Sequence, residues 1–238
     1  MGADPSTPIA TDRPSVTASS VVVPLGSFQD ENGFAFTANQ GQTTFDAPES
    51  LFRLGVATRA ELRLTLPDYF DDYFDRGTAG FGDLMIGTKL QLGPTPGGFD
   101  VSLILSLSMP TGSRAFSSGG YDPSVQLPWS RSISKNWTAE GMLSVYGPTQ
   151  NGRRNVTGES TFLLDRQLTK PWDVFAEYVG DFPERGGPRH LLHFGTTYKI
   201  TPHQQIDLHG AAGLSSAAVD HFIGAGYSFR VQFWHRRF

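Results

Sequence analysis

The chain has 238 residues, no cysteine, and 19 basic against 23 acidic side chains, for a formal charge of −4. The missing cysteines exclude disulfides, thiolate metal sites and cysteine nucleophiles. The acidic balance argues against a nucleic-acid-binding face, which needs net positive charge. Charged residues make up only 18% and aromatics 12%, with 27 Gly and 16 Pro, a turn-rich and charge-poor composition that favours all-β structure.

In chain order, Met1-Gly2-Ala3-Asp4-Pro5 has neither the basic start nor the apolar stretch of a secretory leader. A leader removed from this chain is therefore expected. Residues 1–20 carry Pro5, Pro8 and Pro14, which disfavour helix and point to an extended segment. They read as a periplasmic arm or a plug, and residues 21–238 as one domain. From there period-two alternation dominates. Leu62, Leu64 and Leu66 face away from Glu61, Arg63 and Thr65; Leu84, Ile86, Leu90 and Leu92 face away from Asp83, Gly87, Lys89 and Gln91. Later segments repeat the pattern, as in Leu192, Phe194, Tyr198 and Ile200 against His193, Gly195, Thr197 and Lys199. Such alternation is the strand signal. It predicts twelve strands near 24–37, 49–56, 59–67, 81–92, 99–109, 122–133, 136–146, 156–168, 172–181, 190–200, 204–214 and 221–233.

The connections alternate as well. Polar or long loops near 39–48, 67–80, 110–120, 147–155 and 182–189 alternate with short turns at 57–58, 93–98, 134–135, 169–171 and 201–203. Long loops thus fall at one end of the strands and short turns at the other. This is the pattern of a closed antiparallel up-and-down transmembrane β-barrel of about twelve strands. A sheet crosses lipid only when closed, since every backbone N–H and C=O must pair. Trp129, Trp137, Trp172, Tyr198, Tyr227 and Trp234 lie near strand ends, where an interfacial aromatic girdle belongs. The competing soluble β fold would place the charged faces in a core, at high cost.

Several short motifs occur in a characteristic order. They include Thr11-Asp12-Arg13-Pro14, Val23-Pro24-Leu25-Gly26, Leu51-Phe52-Arg53-Leu54-Gly55, Ala60-Glu61-Leu62-Arg63-Leu64 and Gly82-Asp83-Leu84. Met109-Pro110-Thr111-Gly112, Glu177-Tyr178 and Gly224-Ala225-Gly226-Tyr227-Ser228-Phe229-Arg230 complete the order. Together they resemble the outer-membrane "transporter" family tied to the MetA pathway of phenol degradation. That resemblance implies a bacterial outer-membrane barrel admitting small aromatic or hydrophobic molecules. The chain departs from the family pattern at Ser15 and runs on past Arg230, ending on Phe238, an aromatic end common among chains read by the barrel-insertion machinery.

Polar faces taken as inward place Arg53, Glu61, Arg63, Asp83, Lys89, Glu140, Glu177 and Lys199 in the lumen. Two roles are open to them. Opposed charges at a constriction tune ion preference in pores, and the same groups can form a salt-bridge network that seals the barrel. The 67–80 loop carries Asp68, Asp71, Asp72 and Asp75, which suits a solvated external loop able to meet divalent cations or lipopolysaccharide. No metal site, cofactor or catalytic constellation is expected. Some outer-membrane barrels are lipid hydrolases with Ser and His on the lipid-facing side; here Ser160 and His190 could face outward but sit on non-adjacent strands, out of the hydrogen-bond reach a nucleophile and base need. The expected partners are outer-membrane lipid, lipopolysaccharide and small solutes, with no nucleic acid, and the barrel is expected to be a monomer. The two readings carried forward are a passive channel and a sealed structural or surface-binding barrel.

Overall fold

The structure, a computed structural model, describes residues 4–72 and 77–233. Tyr73, Phe74, Asp75, Trp234 and Phe238 lie outside the described residues. The strands are β1 (Ser27–Asn39), β2 (Gln42–Ala47), β3 (Leu51–Ala57), β4 (Ala60–Thr65), β5 (Tyr69–Asp72), β6 (Thr78–Phe81), β7 (Leu84–Gln91), β8 (Asp100–Met109) and β9 (Asp122–Ser134). They continue as β10 (Trp137–Tyr146), β11 (Thr149–Gln150), β12 (Arg153–Arg154), β13 (Thr157–Gln167), β14 (Trp172–Pro183), β15 (Arg189–Thr201), β16 (Gln204–Gly213) and β17 (His221–Gln232).

Twelve of these form the barrel, in the order β1-β3-β4-β7-β8-β9-β10-β13-β14-β15-β16-β17. It closes where β17 pairs antiparallel with β1 from Ser27↔Gln232 to Ala38↔His221. Closure within one chain leaves the wall without an open edge, as lipid requires. Each barrel strand matches a segment of period-two alternation, because successive side chains of a strand point to opposite faces.

The direction of the apolar face is settled by exposure. Leu62, Leu143, Phe194, Leu208 and Ile223 are 52%, 57%, 49%, 53% and 55% exposed, whereas Arg53, Lys89, Glu61, Gln29 and Glu31 are fully buried. A soluble core would be arranged the other way round. Apolar residues face outward all round the barrel, and most charged residues of the barrel strands face in, with Arg131 and Arg166 among the outward exceptions. Trp137, Trp172 and Tyr198 stand exposed at the short-turn rim, where Trp172 Nε1 donates to Thr196 Oγ1 at 2.6 Å.

Three segments expected as loops contain strands, the 147–155 loop holding the two-residue pair β11 and β12. The polar 39–48 stretch contains β2, and the 67–80 loop contains β5 and β6. The first four register pairs of β1 lie against β3, from Phe28↔Leu54 to Glu31↔Leu51. Further up, β1 pairs instead with β2, and β2 carries β5 and β6 as a small sheet extending the wall. Asp71 and Asp72 are neighbours in β5 and therefore point to opposite faces, with Asp72 accepting from Thr44 Oγ1 at 2.6 Å. Among the described residues no group of three or more carboxylates or imidazoles is placed to hold a metal ion.

Candidate functional site: the lumen and its N-terminal plug

The barrel interior is occupied by the N-terminal segment, which bends through the lower half of the lumen. Of the two expectations, a periplasmic arm or a plug, the described part of the segment meets the second, and it runs past residue 20 to the start of β1. At its C-terminal side it hugs the wall near the short turns, where Val23 N donates to Glu61 Oε2 at 2.6 Å. It then runs along the wall to β8 and β9, where Ser102 Oγ donates to the Ser20 carbonyl at 2.5 Å and the Ser20 and Ser130 hydroxyls meet at 2.7 Å. Its N-terminal side returns to the short-turn end, where Ile9 N donates to the Pro202 carbonyl at 2.7 Å. Arg230 Nη2 donates to the Pro5 carbonyl there at 3.0 Å. The segment has no sheet of its own, so its backbone groups find partners in wall side chains and, at Pro202, a turn carbonyl.

Three wall clusters hold it. In the first, Arg53 from β3, Glu61 and Arg63 from β4, Lys89 from β7 and Glu31 from β1 surround Asp12 of the segment. Arg53 donates to Glu31 Oε1 at 2.8 Å and to Glu61 at 2.9 and 3.0 Å. Asp12 receives Lys89 Nζ at 2.9 Å, Arg63 Nη2 at 2.6 Å and Arg53 Nη1 at 3.2 Å. Glu31 Oε2 in turn accepts the backbone N–H groups of Asp12 and Arg13 at 2.8 and 3.0 Å. Three cations (Arg53, Arg63, Lys89) meet three carboxylates (Asp12, Glu31, Glu61). The cluster balances only when the segment contributes Asp12.

In the second cluster, Glu177 of β14 accepts Thr17 N at 2.7 Å, Thr17 Oγ1 at 2.6 Å and Val16 N at 3.0 Å. Its carboxylate also meets His193 Nδ1 at 2.7 Å, and His193 Nε2 meets His209 Nδ1 at 3.0 Å. In the third, Arg13 lies between Glu49 and Asp207, with 3.2 Å to Asp207 Oδ1. Gly33 and Gly226 make this possible, because a Cβ at either would overlap the Arg13 guanidinium.

The apolar contact inside the barrel is between segment and wall: Val16 and Ala18 pack on Ile104 of β8 and Met142 of β10. This seam lies between two lumen cavities. The lower, about 240 Å³, opens between the segment and Glu140, Asp165, Asp173, Lys199 and Gln205. The upper, about 320 Å³, is lined by Ser108, Ser124, Gln126, Tyr146 and Glu159 near the long loops.

The structure brings four of the eight expected lumen residues, Arg53, Glu61, Arg63 and Lys89, into the Asp12 cluster. Glu177 is a separate clamp on the segment. Glu140 lines the lower cavity, and Lys199 reaches Asp173 Oδ2 at 2.5 Å beside it. Asp83 departs from the expectation: it precedes β7 at the long-loop rim and accepts Gly112 N and Ser118 N, each at 2.9 Å. Partial burial pushes the Asp83 carboxyl up, but the two backbone donors outweigh it and hold the group below the usual carboxylate range. It pins a loop rather than lining the passage. The sequence reading did not place Asp12, Arg13 or Thr17 in the lumen. The one signal for them was the Thr11-Asp12-Arg13-Pro14 motif, polar residues in an arm with no fold of its own. Outside the barrel, Ser160 and His190 flank Gly180 in register on neighbouring strands. They stand two strand spacings apart, about 9.5 Å, and His190 Nδ1 is held by Tyr178 OH at 2.7 Å.

The model of the family described as "Putative MetA-pathway of phenol degradation" matches residues 11–231. The chain belongs to that family. The match begins at Thr11, so it includes the lumen segment as well as the wall. No curated protein sequence matches the chain. Among solved structures, the COG4313 outer membrane channel from Pseudomonas putida F1 is similar, with a TM-score of 0.67 at 11% identity over 88% of this chain and 97% of that one. KdgM porin gives 0.60 at 10% identity, covering 84% and 98%. The CymD monoaromatic hydrocarbon channel gives 0.50 at 10% identity, covering 90% of each chain. At these identities the likeness concerns fold: the family member has the β-barrel fold of outer-membrane channels and porins.

Proposed function

We propose that the chain is a passive outer-membrane channel for small solutes, gated by its own N-terminal segment. The observation that carries this reading is the segment itself. It fills the mid-lumen through hydrogen bonds and ion pairs to the wall, with a cavity on either side, and no covalent link beyond its junction with β1 holds it there. A permanent seal can be built from wall side chains alone, without a separate segment docked through exchangeable hydrogen bonds and ion pairs. A gate needs a closed state that can be exchanged for an open one. Displacing the segment leaves a largely polar-walled passage with an apolar patch at Ile104 and Met142. The solute class that suits both is small and weakly polar, an aromatic ring bearing a hydroxyl or similar group. The description of the family and the name of the CymD channel point the same way. Movement follows the solute gradient, so neither cofactor nor bond-making step is called for. One chain closes the barrel, so a monomer suffices.

Single-channel recording in planar bilayers tests this. Wild-type protein is expected to show brief, infrequent openings, and Asp12→Ala and Glu177→Gln longer ones. Swelling of liposomes in phenol or catechol then reports solute passage. If heat-modifiable, folded protein conducts in none of these forms, the sealed structural barrel is the correct reading.

A further inference from the structure

On the outer face of the barrel, at the short-turn rim of β9, β10 and β13, two arginines point toward lipid. Cross-strand register aligns Arg131 with Ala139 and Leu164, and Trp137 with Arg166 and Val174. All six share the outward face. The Arg131 guanidinium lies 5.0 Å from the Phe99 ring centroid, and that of Arg166 lies 5.2 Å from the Trp137 ring. Both arginines are exposed, and among the described residues neither has an ion-pair partner. The carboxylates of these strands do not serve. Asp100 and Glu140 are both opposite Ser130, and Asp165 is opposite Thr138, all on the inward face. Lys135, in the adjoining turn, adds a third cation.

Next to Arg131 the wall is concave. A groove of about 410 Å³ runs between Phe99, Trp129, Ile133 and Ala139. It exists because Ala139 is small where its neighbours are large, with Phe99 and Trp129 edge to face at 5.9 Å. Its apolar walls carry a cation at the rim, at the height of the interfacial Trp137.

We propose that this is a binding site for one anionic glycerophospholipid of the periplasmic leaflet, with its phosphate between Arg131 and Arg166 and an acyl chain in the groove. An arginine at the edge of the hydrocarbon has its stem in lipid and its head at headgroup level. Near an anionic surface each such cation favours binding by about five-fold. The two arginines are on strands two spacings apart, about 9.5 Å, and are offset by two residues along them, about 12 Å in all, a span that two long side chains reaching toward each other close around one phosphate. The site lies on the outer wall and holds whether or not the lumen conducts.

The test uses the full chain with Trp172→Phe and Trp234→Phe, so that Trp129 and Trp137 report alone. Phosphatidylglycerol with brominated acyl chains is added as a minor guest to phosphatidylcholine vesicles, and brominated phosphatidylcholine serves as the matched guest. Tryptophan quenching is expected to give a relative association constant favouring phosphatidylglycerol by roughly five- to twenty-five-fold, falling to near one in R131Q/R166Q. Ala139→Leu, which fills the groove and keeps both charges, is expected to lower quenching by both guests. Ala139→Leu also serves as the test variant if R131Q/R166Q loses its heat-dependent gel shift. Equal quenching by the two guests in protein with both arginines intact overturns the proposal. So does a preference that persists in folded R131Q/R166Q, and so does quenching unchanged in Ala139→Leu. A preference abolished by millimolar inorganic phosphate would mark a site for free phosphate, which also overturns it.

Discussion

Replacing Asp12 by Ala removes the one carboxylate that the N-terminal segment contributes to the Arg53/Arg63/Lys89 cluster. Three cations then face only Glu31 and Glu61, in a place where Arg53 and Lys89 have no contact with solvent. Removing one partner of a buried ion pair costs about 3–5 kcal/mol, because the remaining charge stays buried and uncompensated. That cost falls on the docked state alone: once the segment leaves, water enters and solvates the cations. At 1.4 kcal/mol per tenfold, the undocked population should rise by at least about 10²-fold. The chain has no cysteine, so a thiol placed by Ala18→Cys is unique. Ala18 is 8% exposed and packs on Ile104 and Met142, so the thiol reacts with a maleimide only when the segment undocks. Labelling of Ala18→Cys with Asp12→Ala is expected to run about 10²-fold faster than labelling of Ala18→Cys alone, with channel openings lengthened in parallel. Equal labelling rates in the two proteins would refute the latch, whatever the conductance.

Three further outcomes are expected. Glu177→Gln keeps the shape of the clamp but exchanges charge-assisted bonds to Val16, Thr17 and His193 for neutral ones; a loss of about 2 kcal/mol, roughly 30-fold faster labelling of the same thiol, should follow. Leu143→Arg places a charge on the lipid face at mid-strand, where the penalty is about 2–4 kcal/mol; the urea midpoint for unfolding from lipid vesicles should fall well below that of Leu143→Ala, and equal midpoints would mean that this face does not meet lipid. Asp83 holds Gly112 and Ser118 through a carboxyl lowered from its ordinary value, so its contribution is present above the unfolded pKa near 4 and is lost as pH falls through the lowered value. Amide resonances of Gly112 and Ser118 should therefore titrate with a midpoint below 4, and Asp83→Asn should remove that titration; a midpoint at or above 4 would contradict the assignment.

The wall was legible in the sequence, because period two is a property of the strand backbone and needs no knowledge of neighbours. Leu62-Arg63-Leu64 announces an outward, an inward and an outward side chain wherever the strand sits. Loop length then orients each strand against the next, and closure follows from the backbone's need for partners in lipid. β2, β5 and β6 escaped this reading because their four to six residues, Gln42–Ala47, Tyr69–Asp72 and Thr78–Phe81, carry no sustained run of alternating apolar and polar side chains. They form only where the upper half of β1 offers them an edge.

What the inward charges do was decided by tertiary structure. Arg53, Glu61, Arg63, Lys89 and Glu177 are visibly inward in sequence, as wall residues of a pore or of a seal alike. Their partner Asp12 is 77 residues from Lys89, and Thr17 is 160 from Glu177. Alternation along a strand says which face a charge is on. Only closing the barrel and threading residues 4–26 into it says which charge it meets, since a buried ion finds its partner by distance in space and carries no local mark of it along the chain.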